Sequence, residues 1–110
     1  MAVSKIILSF AYWASWWYTI KKLTVGRSQA KNIYYQLNLI LMYIEDYEIN
    51  SIKPMQIDFM FASLVQENPN THRPTSRKYL LDIRNTTIQI FEFARENAGL
   101  HISNPARRTI

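Results

Sequence analysis

The chain has 110 residues, 48% of them hydrophobic, with a formal net charge of +5, two histidines and no cysteine. That length and apolar content fit one domain with a real core and exclude a wholly disordered chain. The lack of cysteine excludes a disulfide framework, a Cys-ligated zinc site and a cysteine nucleophile; two glycines and four prolines argue against a turn-rich all-β fold and a glycine-rich phosphate loop.

The first predicted helix runs from an N-cap at Ser4 to about Lys22. It contains an uncharged run at residues 6–20, which is shorter than the roughly 20 apolar residues of a membrane span. Its Trp and Tyr residues sit in the middle rather than at the ends, and lysines rather than a cleavage site follow it. Ile6, Phe10, Trp13, Ala14, Trp17 and Ile20 recur at helical spacing, so the run reads as an amphipathic helix with Trp13 and Trp17 in the core and no membrane partner. Trp16 points to a neighbouring face.

A second helix is predicted from Ser28 to about Tyr47. Ile33, Leu37, Ile40, Leu41 and Ile44 form its main stripe, and Tyr35, Leu39 and Met42 lie opposite, a pattern that suits a central helix. Pro54 opens the third helix at the first helical position, where its missing N–H costs nothing; Ile57, Met60, Phe61 and Leu64 are its buried stripe. Residues 66–74 form a long polar loop. The fourth helix starts at Thr75 or Ser76 and runs to Ala98, with Gly99 as its stop. Leu80, Ile83, Thr87, Ile90, Phe91, Ala94 and Ala98 line its core face. Arg77, Arg84 and Arg95 fall within about 20° of one another along the edge of that face, placed either to clamp a phosphate backbone or to snorkel at the rim of the core. Residues 103–110 carry no helical pattern and read as the start of a linker, leaving 1–102 as the helical domain.

Charge is segregated along the chain. Residues 1–40 carry five cations and no acid, residues 41–70 carry Lys53 against five acids, and residues 71–110 carry seven cations against three acids. Two basic segments that converge in the fold make the footprint of a polyanion partner; the plainer alternative is a solvated surface. No enzymatic constellation is present. His72 and His101 stand in separate loops without metal-ligand spacing, and Glu45, Asp46 and Glu48 read as a solvated helix end rather than a catalytic pair. No cofactor is called for.

Three segments resemble the core-binding domain of phage-integrase-type tyrosine recombinases. Residues 52–60, IKPMQIDFM, are similar to the entry to that domain's third helix. Residues 90–97, IFEFAREN, look like its last helix, and Asn104-Pro105-Ala106 resembles the Asn-Pro element that leads into the catalytic domain. Order and spacing agree over roughly residues 8–108. Departures are Lys53 where the family commonly has Thr, Ser28 slightly out of register with the usual hydroxyl of the second helix, and one extra residue between Ala94 and Asn104. The resemblance implies an all-α, compact bundle of four helices, SAM-like, that binds the double-stranded core recombination site. It implies three further things: a separate C-terminal catalytic domain that would begin after Arg108, other recombinase protomers in a synaptic complex, and a fragment that is itself not an enzyme. The expected compartment is the cytoplasm, in a bacterial or phage-encoded setting.

Carried over by position, the DNA contacts fall at the starts of the second and fourth helices: Arg27, Ser28, Gln29, Lys31 and Asn32, then Arg73, Thr75, Ser76, Arg77 and Lys78, with Arg84 on the arginine edge. Helix N-termini offer N–H groups and a positive dipole end to phosphates. Lys and Arg neutralise phosphate, and Gln, Asn and Arg read base edges. The alternative for Ser28, Thr75 and Ser76 is capping. Two readings from other classes are a helical protein-interaction module and a small DNA-binding regulator of the helix-turn-helix kind. The long second helix and the long loop before the fourth argue against the regulator.

Overall fold

The computed structural model describes residues 9–98 and 104–108. Among them lie four α-helices, two short 3₁₀ turns and no strand, so the fold is all-α. The helices are α1 (Phe10–Lys21), α2 (Arg27–Ile44), α3 (Pro54–Gln66) and α4 (Arg77–Ala98); the 3₁₀ turns occupy Ile49–Ser51 and Pro105–Arg108. Both α2 and α4 pack against all the other helices, the central position that apolar residues on two sides of α2 predict. The molecule measures 43 × 33 × 21 Å.

The core follows the predicted stripes closely on α3 and α4. Ile57, Met60, Phe61 and Leu64 are buried, as are Ile83, Thr87, Ile90, Phe91 and Ala94, with Leu80 and Ala98 half-buried at the ends. Trp13, Ala14 and Trp17 of α1 are buried with them. The rings of Phe10 and Phe91 meet at 5.4 Å in a tilted arrangement, which ties α1 to α4.

Four expectations need correction. The helix of the first segment begins at Phe10, not after Ser4, which lies outside the described residues, as do Ile6, Gly99 and His101. Ser9 is extended, and the leading N–H groups of Phe10 and Ala11 bond to the carbonyls of Tyr47 (2.9 Å) and Glu45 (3.1 Å). The turn after α2 thus satisfies donors that a helix start leaves open. Ile20 is exposed, because it lies at the edge of the α1 stripe next to Trp16 while Trp17 and Lys21 face α2 and α4, and Tyr35 and Met42 of the second stripe of α2 are exposed as well; only Leu39 of that stripe is buried. The second helix ends at Ile44 rather than Tyr47.

The fourth correction concerns residues 104–106, which are not loose. Asn104, Pro105 and Ala106 are buried, and the turn they begin packs on α4 and α3. Asn104 Nδ2 donates to the Ile88 carbonyl (3.0 Å) and to Glu92 Oε1 (3.2 Å), while its Oδ1 accepts from the Ala106 N–H (3.0 Å). The polar loop between α3 and α4 is also internally bonded. Asn68 is buried, its N–H donates to the Arg73 carbonyl (2.7 Å), and its Oδ1 accepts from the Asn70 N–H (2.8 Å).

Candidate nucleic-acid interface

The starts of α2 and α4 carry the residues expected to meet DNA, and the two ends are built differently. Gly26 stands at the N-cap of α2 and provides no side-chain cap; no acid lies in the first turn. Arg27, Ser28, Gln29, Lys31 and Asn32 are all exposed there. An uncapped start surrounded by cations and amides keeps its positive dipole end directed to solvent.

The start of α4 is closed by its own side chain. Ser76 Oγ accepts from the Tyr79 N–H at 3.2 Å, so Ser76 serves as an N-cap, one of the two roles its position offers. Thr75 is turned inward: its Oγ1 is buried, and its N–H donates to the Leu64 carbonyl at 3.2 Å. The hydroxyl of Thr75 is therefore not presented to a ligand in this structure, against expectation. Arg73, Arg77 and Lys78 are exposed and Arg84 is half-buried. The arginine edge does not act as one strip, because Arg95 is held by Glu92 (3.0 Å) within its own helix.

Between these ends runs a polar cleft that the sequence pattern does not reveal. The last part of α1 contributes Trp17 and Lys21. The first half of α2 contributes Gln29, Asn32, Ile33 and Gln36, and the middle of α4 contributes Asp82, Asn85, Thr86 and Gln89. On the floor, the buried Thr86 hydroxyl donates to Gln36 Oε1 at 2.6 Å. That bond leaves the donor side of the Gln36 amide as its other polar face. Lys21 and Asp82 balance in charge, so the cleft is amide-rich and close to neutral, while Arg27 and Lys31 lie on the exposed start of α2.

The two basic stretches share the α2–α4 pair but are not side by side. The start of α4 lies by the middle of α2, where Tyr79 joins Tyr35, Asn38 and Leu39 around a second hollow. The start of α2 faces the middle of α4. The offset is about two to three helical turns, roughly 12–18 Å along α2. Burial, and next the Asp82 carboxylate, push the Tyr79 phenol above its usual value, so it stays neutral at physiological pH.

Among the described residues no group of His, Asp and Glu is arranged to hold a metal ion, and no helix is long and apolar enough to cross a membrane. The chain matches no family model, no curated protein and no solved structure.

Proposed function

We propose that the chain is a DNA-binding domain, the SAM-like core-site-binding unit of a phage-integrase-type tyrosine recombinase, which holds a duplex for a catalytic domain elsewhere in the protein. The observation that carries this reading is the uncapped start of α2, where Arg27, Gln29, Lys31 and Asn32 stand exposed with no acid in the first turn. Arg77 and Lys78, offset by about two to three turns on the crossing helix α4, extend the same basic character along a length that one turn of duplex spans. The resemblance of residues 52–60, 90–97 and 104–106 to the integrase domain supplies the particular class.

Division of labour follows from side-chain chemistry. Arg27, Lys31, Arg77 and Lys78 neutralise phosphates and fix register; Gln29 and Asn32 are suited to base edges. A salt titration of binding to duplex DNA tests this. Lys31→Ala and Arg77→Ala should each weaken binding on every sequence and each reduce the slope of log affinity against log salt by about 0.9. Gln29→Ala should instead lower discrimination between sites. If both cation variants leave affinity and slope intact, the interaction-module reading replaces this one. Because the recombinase class puts strand cleavage in another domain, no covalent protein–DNA adduct should form on a suicide substrate. An adduct on a denaturing gel would contradict that assignment.

A further inference from the structure

The outer side of α2 carries aromatic rings among cations. Arg27, Lys31, Tyr34, Tyr35 and Asn38 are all exposed, and at 100° per residue they fall within about 100° of one another. Tyr34 and Tyr35 are each 47% exposed, large rings standing in water midway along the helix. The sequence contains no acid before Glu45, so the charge on this strip is all positive.

The rings form a row. Tyr18 of α1 is fixed against α2 by its hydroxyl, which donates to the Ala30 carbonyl at 3.3 Å. Its ring lies 5.9 Å from that of Tyr34, and the Tyr34 ring lies 6.2 Å from that of Tyr35. Lys22 Nζ sits over the Tyr18 ring, 5.4 Å from its centre, which puts a cation at one end of the row. At the other end Tyr35 also lines the second hollow, together with Asn38, Asn68 and Tyr79. That hollow has a volume of about 550 Å³ and an uncharged lining, and its size is in the range of small-ligand sites. Asn68 is 7% exposed there. Its Oδ1 accepts from the Asn70 N–H, while its Nδ2 has no acceptor among the described residues and remains a donor for a ligand.

A duplex gives these rings no partner, because its bases stack on one another and present only edges and phosphates. A single strand exposes base faces together with phosphates, and aromatic side chains beside cations are the means of holding it. We infer that the chain also binds single-stranded nucleic acid along this strip. Bases stack on Tyr34 and Tyr35, phosphates meet Arg27, Lys31 and Lys22, and one base enters the hollow and accepts from Asn68 Nδ2. The inference shares Arg27 and Lys31 with the duplex-binding reading but does not rest on it.

The test measures fluorescence anisotropy of labelled oligothymidylate and oligouridylate, neither of which pairs with itself, and of a duplex of the same length, with the full chain. A single strand should bind, more weakly as salt rises; preference for one of the two identifies the strand as DNA or RNA. An abasic strand of the same length keeps the phosphates but lacks the rings, and should bind at least about tenfold more weakly. Tyr34→Ala and Tyr35→Ala should each weaken single-strand binding roughly 5- to 100-fold, the range for losing one base–aromatic stack, and leave duplex affinity within about twofold. Tyr34→Phe and Tyr35→Phe should bind the strand like wild type, since the ring face and not the hydroxyl makes the stack. Failure of both strands to bind, an abasic strand that binds as tightly, or alanine variants that bind like wild type overturns the inference and leaves the duplex reading intact. Equal loss of strand and duplex binding in the alanine variants overturns it as well, because the rings then only support the cationic face. Strand binding without duplex binding upholds the inference and rejects the duplex reading. The abasic comparison needs wild type alone, so it decides the matter even where an alanine variant melts early.

Discussion

Replacing Trp13 by alanine is expected to cost about 3–5 kcal/mol of stability, the usual range for truncating a buried aromatic side chain. Trp13 is 7% exposed and its indole meets two rings edge-on, Tyr12 at 5.3 Å and Phe93 at 6.0 Å. It therefore joins α1 to α4, and the alanine variant leaves a cavity at that contact. A domain of this size holds a total of only about 5–15 kcal/mol, so the melting temperature should fall by more than about 10 °C. Trp13→Phe should cost much less. Among the described residues the buried indole Nε1 has no hydrogen-bond partner, and phenylalanine keeps most of the ring while removing that donor. Trp16→Ala should change stability by no more than about 0.5 kcal/mol, as expected for an exposed position. Thermal melts of the three variants, followed by circular dichroism, check the set. Equal losses for Trp13→Ala and Trp16→Ala would mean that α1 is not seated as described.

The contrast among these tryptophans shows what is legible in the sequence. Period 3.6 assigns Trp13 and Trp17 to one face and Trp16 to another, and burial follows that assignment. The same logic places Ile57, Met60, Phe61 and Leu64 inside as the stripe at helical spacing, while Met55 and Phe59, equally apolar, fall on the outer face of α3 and stay exposed. It fails where an apolar residue lies beyond the reach of a neighbouring helix. Ile20 keeps the period of α1 but lies at the edge of its stripe, uncovered, and Tyr35 and Met42 keep a second stripe on α2 that only Leu39 uses. Periodicity reports which face a residue occupies; whether another element covers that face is a tertiary property.

The candidate interface divides in the same way. Exposed cations and amides at the start of α2 are evident from residue type and position. The amide-lined cleft is not, because Gln36 and Thr86 stand 50 residues apart and only the crossing of α2 over α4 brings them into contact. The offset between the two basic helix starts has the same origin. Thr75 and Ser76 look equivalent as hydroxyls before a helix, yet one side chain is turned into the protein and the other caps α4. Thr75 is held by its N–H bond to the Leu64 carbonyl, a partner across the loop that local sequence does not specify, and Ser76 by the Tyr79 N–H.

Asn104 is the position where composition is least informative, and its substitution should have a distinct local signature. A polar residue followed by proline and alanine has the composition of a linker. Here the side chain is 4% exposed and makes three hydrogen bonds, two as donor and one as acceptor. Glu92 takes part twice, accepting from Asn104 and from Arg95. Asn104→Ala removes both donors and leaves the Ala106 N–H without its acceptor, at an expected cost of about 1–3 kcal/mol. Asn104→Asp should cost more, since it removes the donors and sets a second carboxylate against Glu92. The loss should be felt first in the turn at Pro105–Arg108, whose hold on α3 and α4 depends on this side chain. Trypsin cleavage after Arg107 or Arg108 should therefore accelerate by about tenfold or more, the factor that corresponds to 1.4 kcal/mol of local opening. The melt of the four helices should move less than that of the Trp13→Ala variant. Unchanged cleavage would show that Pro105 and Ala106 hold the turn by burial alone. In the proposed DNA-binding reading, a latched turn fixes the direction in which the chain leaves α4, so that a following domain is positioned against the same duplex by the rigid bundle rather than by a slack tether.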